Sequence, residues 1–157
     1  MKITERLNVE HGVFLTMLER LEDLVQLKAP SDVLAGVAQT VLDVIEPHCR
    51  IEDRWLYPTL AGAFGHDFPP LAAAEAEHHE IQKLAREVQG VGCSARAVSA
   101  LVVALGSHIE KEIHLIFPLA EEWIPEETLS QMCDWYAEHV RDRSGRHATR
   151  QSEKWPG

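Results

Sequence analysis

The strongest constraint on the fold is an internal repeat that places a histidine, a glutamate and a proline at the same spacing in both halves of the chain. Residues 48–58 and 108–118 both begin with His, carry Glu four positions later, continue with an apolar and aromatic stretch and end in Pro. The two segments are 60 positions apart. Residues four apart share one face of an α-helix, so each segment predicts a helix that presents a His-Glu pair, His48 with Glu52 and His108 with Glu112.

A second, shorter repeat supplies one more histidine from each half. Glu10-His11 and Glu77-His78 lie 67 positions apart, and each is followed by an apolar residue three positions after the His. Both histidines fall on the apolar face of a predicted helix. The first two helices therefore resemble the next two, which predicts approximate two-fold symmetry with a site near the axis.

The spacing of apolar residues predicts helices over residues 4–28, 32–57, 71–89 and 94–117, with a shorter helix after Pro125. Pro47 predicts a kink or bulge, Pro58 is expected to end its helix, and Pro118 to break or end the fourth. The Gly- and Pro-rich residues 61–70 indicate a loop. The predicted inward-facing apolar positions include Leu7, Phe14, Leu18, Val44, Ile45, Leu115 and Ile116. We predict an all-α fold, an antiparallel up-down-up-down four-helix bundle with a short C-terminal helix.

Length, charge and cysteine content narrow the class of protein. The 157 residues, 45% of them apolar, suit one domain, which we expect at residues 1–141, followed by a flexible basic tail at 142–157. The net charge of -10 argues against nucleic acid or an anionic membrane as partner. Three cysteines without a CxxC pair, no long apolar run and a charged start predict a soluble protein of a reducing, cytoplasmic compartment.

Six side chains from four helices are predicted to meet inside the bundle, namely His11, His48, Glu52, His78, His108 and Glu112. Carboxylates can bridge two metal ions, which leaves two imidazoles for each ion, so the set predicts a binuclear site with nitrogen and oxygen ligands. The alternative is a metal-free core network of hydrogen-bonded histidines. We disfavour it because buried carboxylates and imidazoles in one dry core need a cation to offset the cost of burial.

Iron suits this donor set best, with zinc or manganese as substitutes, because imidazole binds iron and zinc and carboxylate favours harder ions. The set contains no thiolate, which disfavours a structural tetrahedral zinc site. The histidines at positions 66, 79 and 114 are expected outside the site. Tyr57, which follows Glu52 by one turn, could hydrogen-bond near the site, although packing is the favoured interpretation.

This pattern of Glu-His and HxxxE motifs, each HxxxE followed by an aromatic residue and Pro, resembles the hemerythrin-like HHE cation-binding domain over roughly residues 3–120. The resemblance implies an antiparallel four-helix bundle that holds two iron ions in a non-haem, oxo- or hydroxo-bridged di-iron centre. It implies the same six ligands, with Glu52 and Glu112 bridging both irons.

The sequence departs from the oxygen-carrying members of that family at two positions. Ala74 stands where those members have a fifth histidine, one turn before the His of the third helix, and Glu112 follows His108 by four residues where they have Asp five residues later. The set of four His and two Glu is more similar to bacterial members tied to iron-sulfur repair under nitrosative stress, to nitric oxide or oxygen sensing, or to peroxide removal.

Three classes of function stay open on this basis. The first is a protein that binds or responds to a small diatomic ligand or peroxide. The second is a di-iron redox enzyme, for example one that disproportionates peroxide or takes part in nitrosative-stress and iron-sulfur repair. The third is an iron-handling or metal-stabilised interaction module. The chain is expected to be a monomer or a homodimer.

Overall fold

The computed structural model of the chain describes residues 1–90 and 93–146, with side chains up to residue 138. Five long helices, two of which contain a π-helical turn, account for nearly all of this part of the chain. In chain order the elements are α1 (Ile3–Gln26), α2 (Ser31–Ile51), π1 (Glu52–Leu56), α3 (Tyr57–Phe64), α4 (Pro69–Gln89), α5 (Ala95–Lys111), π2 (Glu112–Ile116), α6 (Phe117–Trp123) and α7 (Glu126–Arg146).

The first four long helices form the predicted bundle. α1 packs against α2 and α5, and α4 packs against the same two helices, so the four close into a ring in chain order. Connections of four or five residues, at 27–30, 65–68 and 90–94, leave each helix antiparallel to the one before it. The predicted all-α four-helix bundle is confirmed.

The final helix is longer than the short helix predicted. α7 has 21 residues and packs along α1, with Leu129, Met132 and Tyr136 buried. No proline follows Pro125 until the helix has ended, so the chain continues helically to Arg146. Residues 142–146, predicted as part of a flexible tail, are therefore helical, and residues 147–157 lie outside the described residues.

Neither Pro58 nor Pro118 ends its helix, contrary to the prediction for Pro58. Each follows a π-turn: the backbone N–H of Tyr57 donates to the carbonyl of Glu52, and that of Phe117 to the carbonyl of Glu112. A proline lacks a donor and its ring collides with the carbonyl four residues earlier in an α-helix. The wider π-turn displaces that carbonyl just where the donor is missing, so α3 continues to Phe64 and α6 to Trp123. Only residues 65–68 of the predicted loop at 61–70 are non-helical.

The π-turns also change which residues face inward. Because a π-turn contains one extra residue, Phe117, five positions after Glu112, is buried, whereas Leu115 is 43% exposed against prediction. Val44 is likewise 43% exposed and not part of the core. The helix remains α-helical through Pro47, and the bulge predicted there lies further on, at Glu52–Leu56.

The core consists of two apolar clusters with a polar layer between them. One cluster includes Phe14, Ile45 and Ile109, and the other includes Leu7 and Ile116. The candidate site residues occupy the positions between these two sets on each helix. Within residues 1–90 and 93–146, no helix combines the length and the apolar character that crossing a bilayer requires.

Candidate metal centre

All six sequence-predicted ligand candidates meet in the polar layer between the two apolar clusters. Each of the four bundle helices contributes at least one of them, and none is more than 3% exposed: His11, His48, Glu52, His78, His108 and Glu112. α1 and α4 each present one histidine, while α2 and α5 each present a histidine one turn before a glutamate that opens a π-turn. The apolar register of each helix turns these side chains inward.

The six side chains form two overlapping groups of four, each with the spacing of a metal site. Position 1 comprises His11 and His48, position 2 comprises His78 and His108, and both positions share Glu52 and Glu112. Within each group the candidate ligand atoms all lie within 4.8 Å of one another. The two Nε2 atoms are 2.9 Å apart in position 1 and 2.9 Å apart in position 2. At this distance the two rings of each position hydrogen-bond each other. Two nitrogens about 2.1 Å from one ion, at the right angle of octahedral coordination, would be about 3.0 Å apart, so the same spacing also suits a shared ion.

The two glutamates lie where a carboxylate could bridge both positions. Glu52 places Oε1 2.8 Å from Nε2 of His48 and Oε2 3.6 Å from Nε2 of His78, one oxygen toward each position. Glu112 places Oε2 3.1 Å from Nε2 of His11 and 3.3 Å from Nε2 of His108. Both carboxylates therefore contact both positions.

Several of these atoms lack a hydrogen-bond partner despite complete burial. Both carboxylate oxygens of Glu52 and Oε2 of Glu112 are buried, and no described residue donates a hydrogen bond to them. The oxygens approach imidazole nitrogens closely but outside hydrogen-bond geometry. Leaving buried carboxylate oxygens unsatisfied is costly, and a cation between the converging lone pairs removes that cost. The donor set therefore fits two divalent ions better than the alternative of a self-satisfied histidine network.

The pKa values of the two carboxylates in the layer shift in opposite directions. Burial and the neighbouring carboxylate of Glu112 raise the pKa of Glu52 well above its usual value. Burial would also raise the pKa of Glu112, but the contact with the imidazole of His11 and the other nearby imidazoles outweigh it and lower that pKa to about 2. Burial lowers the pKa of His11 and of His108, whereas the hydrogen bond to Asp53 and the carboxylate of Glu52 outweigh burial at His78 and raise its pKa to about 9. Without a cation, the layer therefore favours one carboxylate charge over two.

Three carboxylates outside the layer form hydrogen bonds with the Nδ1 atoms of three histidines; Nδ1 is the outer nitrogen of each ring, and Nε2 is the inner one. Nδ1 of His48 lies 3.0 Å from Glu10, Nδ1 of His78 2.6 Å from Asp53, and Nδ1 of His108 2.9 Å from Glu77. These hydrogen bonds put the proton on Nδ1 and leave Nε2 free to bind a metal. Hydrogen bonds and charges outweigh burial and lower the pKa of both Glu10 and Glu77, which keeps them ionised in this role.

Tyr57 and Phe117 occupy equivalent positions in the 60-residue repeat, and each stacks on one histidine of the layer. Phe117 stacks on the ring of His11 at 5.2 Å with 4° between the planes, and Tyr57 stacks on His78 at 5.4 Å with 29°. The Tyr57 hydroxyl also donates to Oε1 of Glu112 at 2.5 Å. Tyr57 therefore both packs on the site and hydrogen-bonds inside it, which is the less favoured of the two predictions made for it.

The residue pattern predicts the inner ligand candidates but not the carboxylates that hydrogen-bond them. Glu10 and Glu77 belong to the repeated Glu-His pair, and this repeat is the sequence feature that could have indicated their contacts with His48 and His108. Asp53 has no such signal, because Ile113 stands at the corresponding position in the other half. The histidines at positions 66, 79 and 114 are exposed and outside the layer, as predicted.

The sequence was compared with known families, curated proteins and solved structures. The family model of the hemerythrin HHE cation binding domain matches residues 2–120. That range includes the whole polar layer and the three carboxylates that hold it. No curated protein and no solved structure matches the chain.

Proposed function

The chain belongs to the hemerythrin HHE cation-binding domain family, and from this premise we propose that it is a non-haem di-iron protein that binds or responds to dioxygen, nitric oxide or peroxide. The observation that carries the proposal is the pair of four-ligand groups that share two buried carboxylates, three of whose four oxygens have no hydrogen-bond partner among the described residues. A di-iron pair, when bound, supplies two one-electron redox equivalents and open coordination positions for a small ligand.

The residues of this chain would contribute ligands, orientation and exclusion of water. His11 and His48 would hold one ion, His78 and His108 the other, and Glu52 and Glu112 would bridge them. The apolar clusters on both sides of the layer, including Phe14 and Phe117, favour a small uncharged ligand over a hydrated ion. Three free, buried cysteines support a reducing, cytoplasmic setting as part of the proposal.

One observation favours a redox enzyme as the second candidate. The Tyr57 hydroxyl is a hydrogen-bond donor inside the polar layer, where it contacts Glu112 and stacks on His78. Burial, with the carboxylates of Glu52 and Glu112, raises its pKa well above the ordinary value, so it stays protonated and would hold a bound oxygen atom by a hydrogen bond without giving up its proton. Such a donor would orient peroxide for disproportionation.

Metal content and ligand response test the proposal directly. The purified chain is loaded with Fe(II) under anaerobic conditions, its iron content is measured, and the visible spectrum is recorded before and after dioxygen, nitric oxide or peroxide is added. About two irons per chain and a stable spectral change without turnover would support ligand binding. Rapid evolution of dioxygen from peroxide would select the enzyme. Exclusive retention of redox-silent zinc would contradict both and favour a metal-stabilised interaction module.

Matched variants separate the site from the rest of the helix that carries it. His78→Ala and Glu112→Ala should sharply lower the iron content, because each removes a candidate ligand. His79→Ala is the control, since His79 is the next residue along the same helix but is exposed and bonds only the carbonyl of Glu75 in α4. Equal loss of iron in all three variants would contradict the proposed ligand set.

A further inference from the structure

The two candidate metal positions differ in how their imidazoles are held. In position 2 both rings have a carboxylate on Nδ1, Asp53 on His78 and Glu77 on His108. In position 1 only His48 has one, supplied by Glu10. Nδ1 of His11 is buried and has no hydrogen-bond partner among the residues that the structure describes. Three of the four outer nitrogens are therefore oriented by a charged acceptor, and the fourth is not.

This difference comes from one break in the internal repeat. Asp53 is the second residue of π1, and the second residue of π2 is Ile113. Because the two π-turns begin at equivalent glutamates, Ile113 occupies the place from which a carboxylate would reach the histidine of α1. Its side chain is apolar and packs against the core cluster that contains Phe14. His11 is held instead by ring contacts with Phe117 and Phe14.

An acceptor on the outer nitrogen has a known effect on a metal-binding histidine. It selects the tautomer with the inner nitrogen free, holds the ring in place and makes that nitrogen more basic, and its loss typically costs about 10- to 100-fold in metal affinity. Ring stacking holds an imidazole in place but neither selects its tautomer nor raises its basicity. The two positions share the same carboxylates, so this outer contact is the main difference between them.

We propose that Asp53 is a positioning residue that makes position 2 the tighter metal position, so that the ions load in order, position 2 first and position 1 second. The inference rests on the proposed function, because it assumes that both positions take metal. It adds an order of loading and a residue that sets it.

Stepwise titration of the full chain with Zn²⁺ alone, followed by calorimetry and by competition with a chromophoric chelator, tests the order. The parent protein should bind two ions in steps separated by about 10- to 100-fold in affinity. His11→Ala should keep the tight step, and His78→Ala should keep only the weak one. Asp53→Ala should weaken the first step by about the same 10- to 100-fold and bring the two steps together.

Two further variants distinguish positioning from a general effect on the fold. Asp53→Asn keeps an acceptor without the charge and should give an intermediate affinity for the first step. Asp43→Ala, at an exposed position of α2, should leave both steps unchanged. Asp53 has a side chain that is 43% exposed, so its replacement should leave the bundle folded, which circular dichroism would check.

The results that would overturn the order of loading differ from the result that would contradict the metal centre. Two equal steps in the parent, retention of the tight step by His78→Ala, or an unchanged first step in Asp53→Ala would overturn the inference while leaving the binuclear site in place. No uptake of Zn²⁺ by the folded parent would instead contradict the proposed metal centre itself.

Discussion

Replacing Glu52 by glutamine should stabilise the protein when it is free of metal and weaken its stabilisation by metal. Glu52 is fully buried, and within the described part of the chain neither of its carboxylate oxygens accepts a hydrogen bond. Glutamine has nearly the shape of the protonated carboxyl group but does not titrate. The substitution therefore removes the cost of keeping a carboxyl group in the layer and also removes a negatively charged ligand.

The magnitude follows from the pKa of Glu52. Burial and Glu112 raise it well above the usual value of 4.5, so the folded chain keeps a proton that the unfolded chain has lost. This cost is absent below the unfolded pKa and grows by about 1.4 kcal/mol for each pH unit as the pH rises toward the folded pKa. At about pH 6 the metal-free Glu52→Gln variant should therefore be more stable than the parent by up to about 2 kcal/mol.

Urea denaturation between about pH 5 and pH 6.5, in the presence of a chelator, would measure this difference in the free energy of unfolding. The same titration with saturating Zn²⁺ would measure the stabilisation by metal, which should be about 4 kcal/mol for each ion that the parent binds at 1,000 times that ion's dissociation constant. The variant should gain less from the same Zn²⁺ concentration, because one bridging carboxylate is missing.

The control is Glu22→Gln, on an exposed part of α1, which should change stability by no more than about 0.5 kcal/mol at any pH in this range. Two results would contradict a raised pKa of Glu52: a Glu52→Gln variant that is less stable than the parent without metal, or a stability difference between the two that does not grow with pH. Equal stabilisation of variant and parent by Zn²⁺ would remove Glu52 from the ligand set.

Three other predictions concern the same layer. Tyr57→Phe should lower the free energy of unfolding by about 1.5–3 kcal/mol, the worth of a hydrogen bond to a charged group, in urea titrations. Tyr136→Phe should cost less, because Glu10 keeps its other partners, and the opposite order would contradict the account. Metal binding near pH 7 should release protons, since the pKa of His78, raised to about 9, keeps that imidazole protonated in the metal-free chain; calorimetry in two buffers of different ionisation enthalpy would detect this. The contribution of His78 to metal-free stability should be present below about pH 6.5 and lost as the pH rises through about 9, so a metal-free protein more stable at pH 10 than at pH 7 would contradict the assignment.

The fold class and the inner ligand candidates could be predicted because both depend on local geometry. A helix places residues four apart on one face whatever surrounds it, so the spacing of His48 to Glu52 and of His108 to Glu112 predicted their shared direction. The apolar register around His11 and His78 turned those residues inward in the same way. The 60-residue repeat then implied that all four helices meet at one site.

The effect of the prolines could not be predicted in this way. A proline ends a helix only when the backbone hydrogen-bond pattern cannot accommodate the missing N–H donor. The π-turns before Pro58 and Pro118 accommodate it. The extra residue in each turn also moved Leu115 outward and Phe117 inward, which a strict α-helical period does not anticipate. The length of α7 escaped prediction because its apolar positions are few and its burial comes from packing on α1.

The sequence by itself determined that this chain is helical and that four imidazoles and two carboxylates turn inward, because these properties follow from contacts within one or two helical turns. Only the tertiary structure decided which carboxylate holds which histidine. Glu10 is adjacent to His11 but serves His48, and Asp53 is adjacent to Glu52 but serves His78. These partners lie on different helices, so the choice depends on how the helices are rotated and packed. The packing places residue 113 opposite His11 as it places Asp53 opposite His78, and because residue 113 is Ile, His11 lacks the acceptor that the other three histidines have among the described residues.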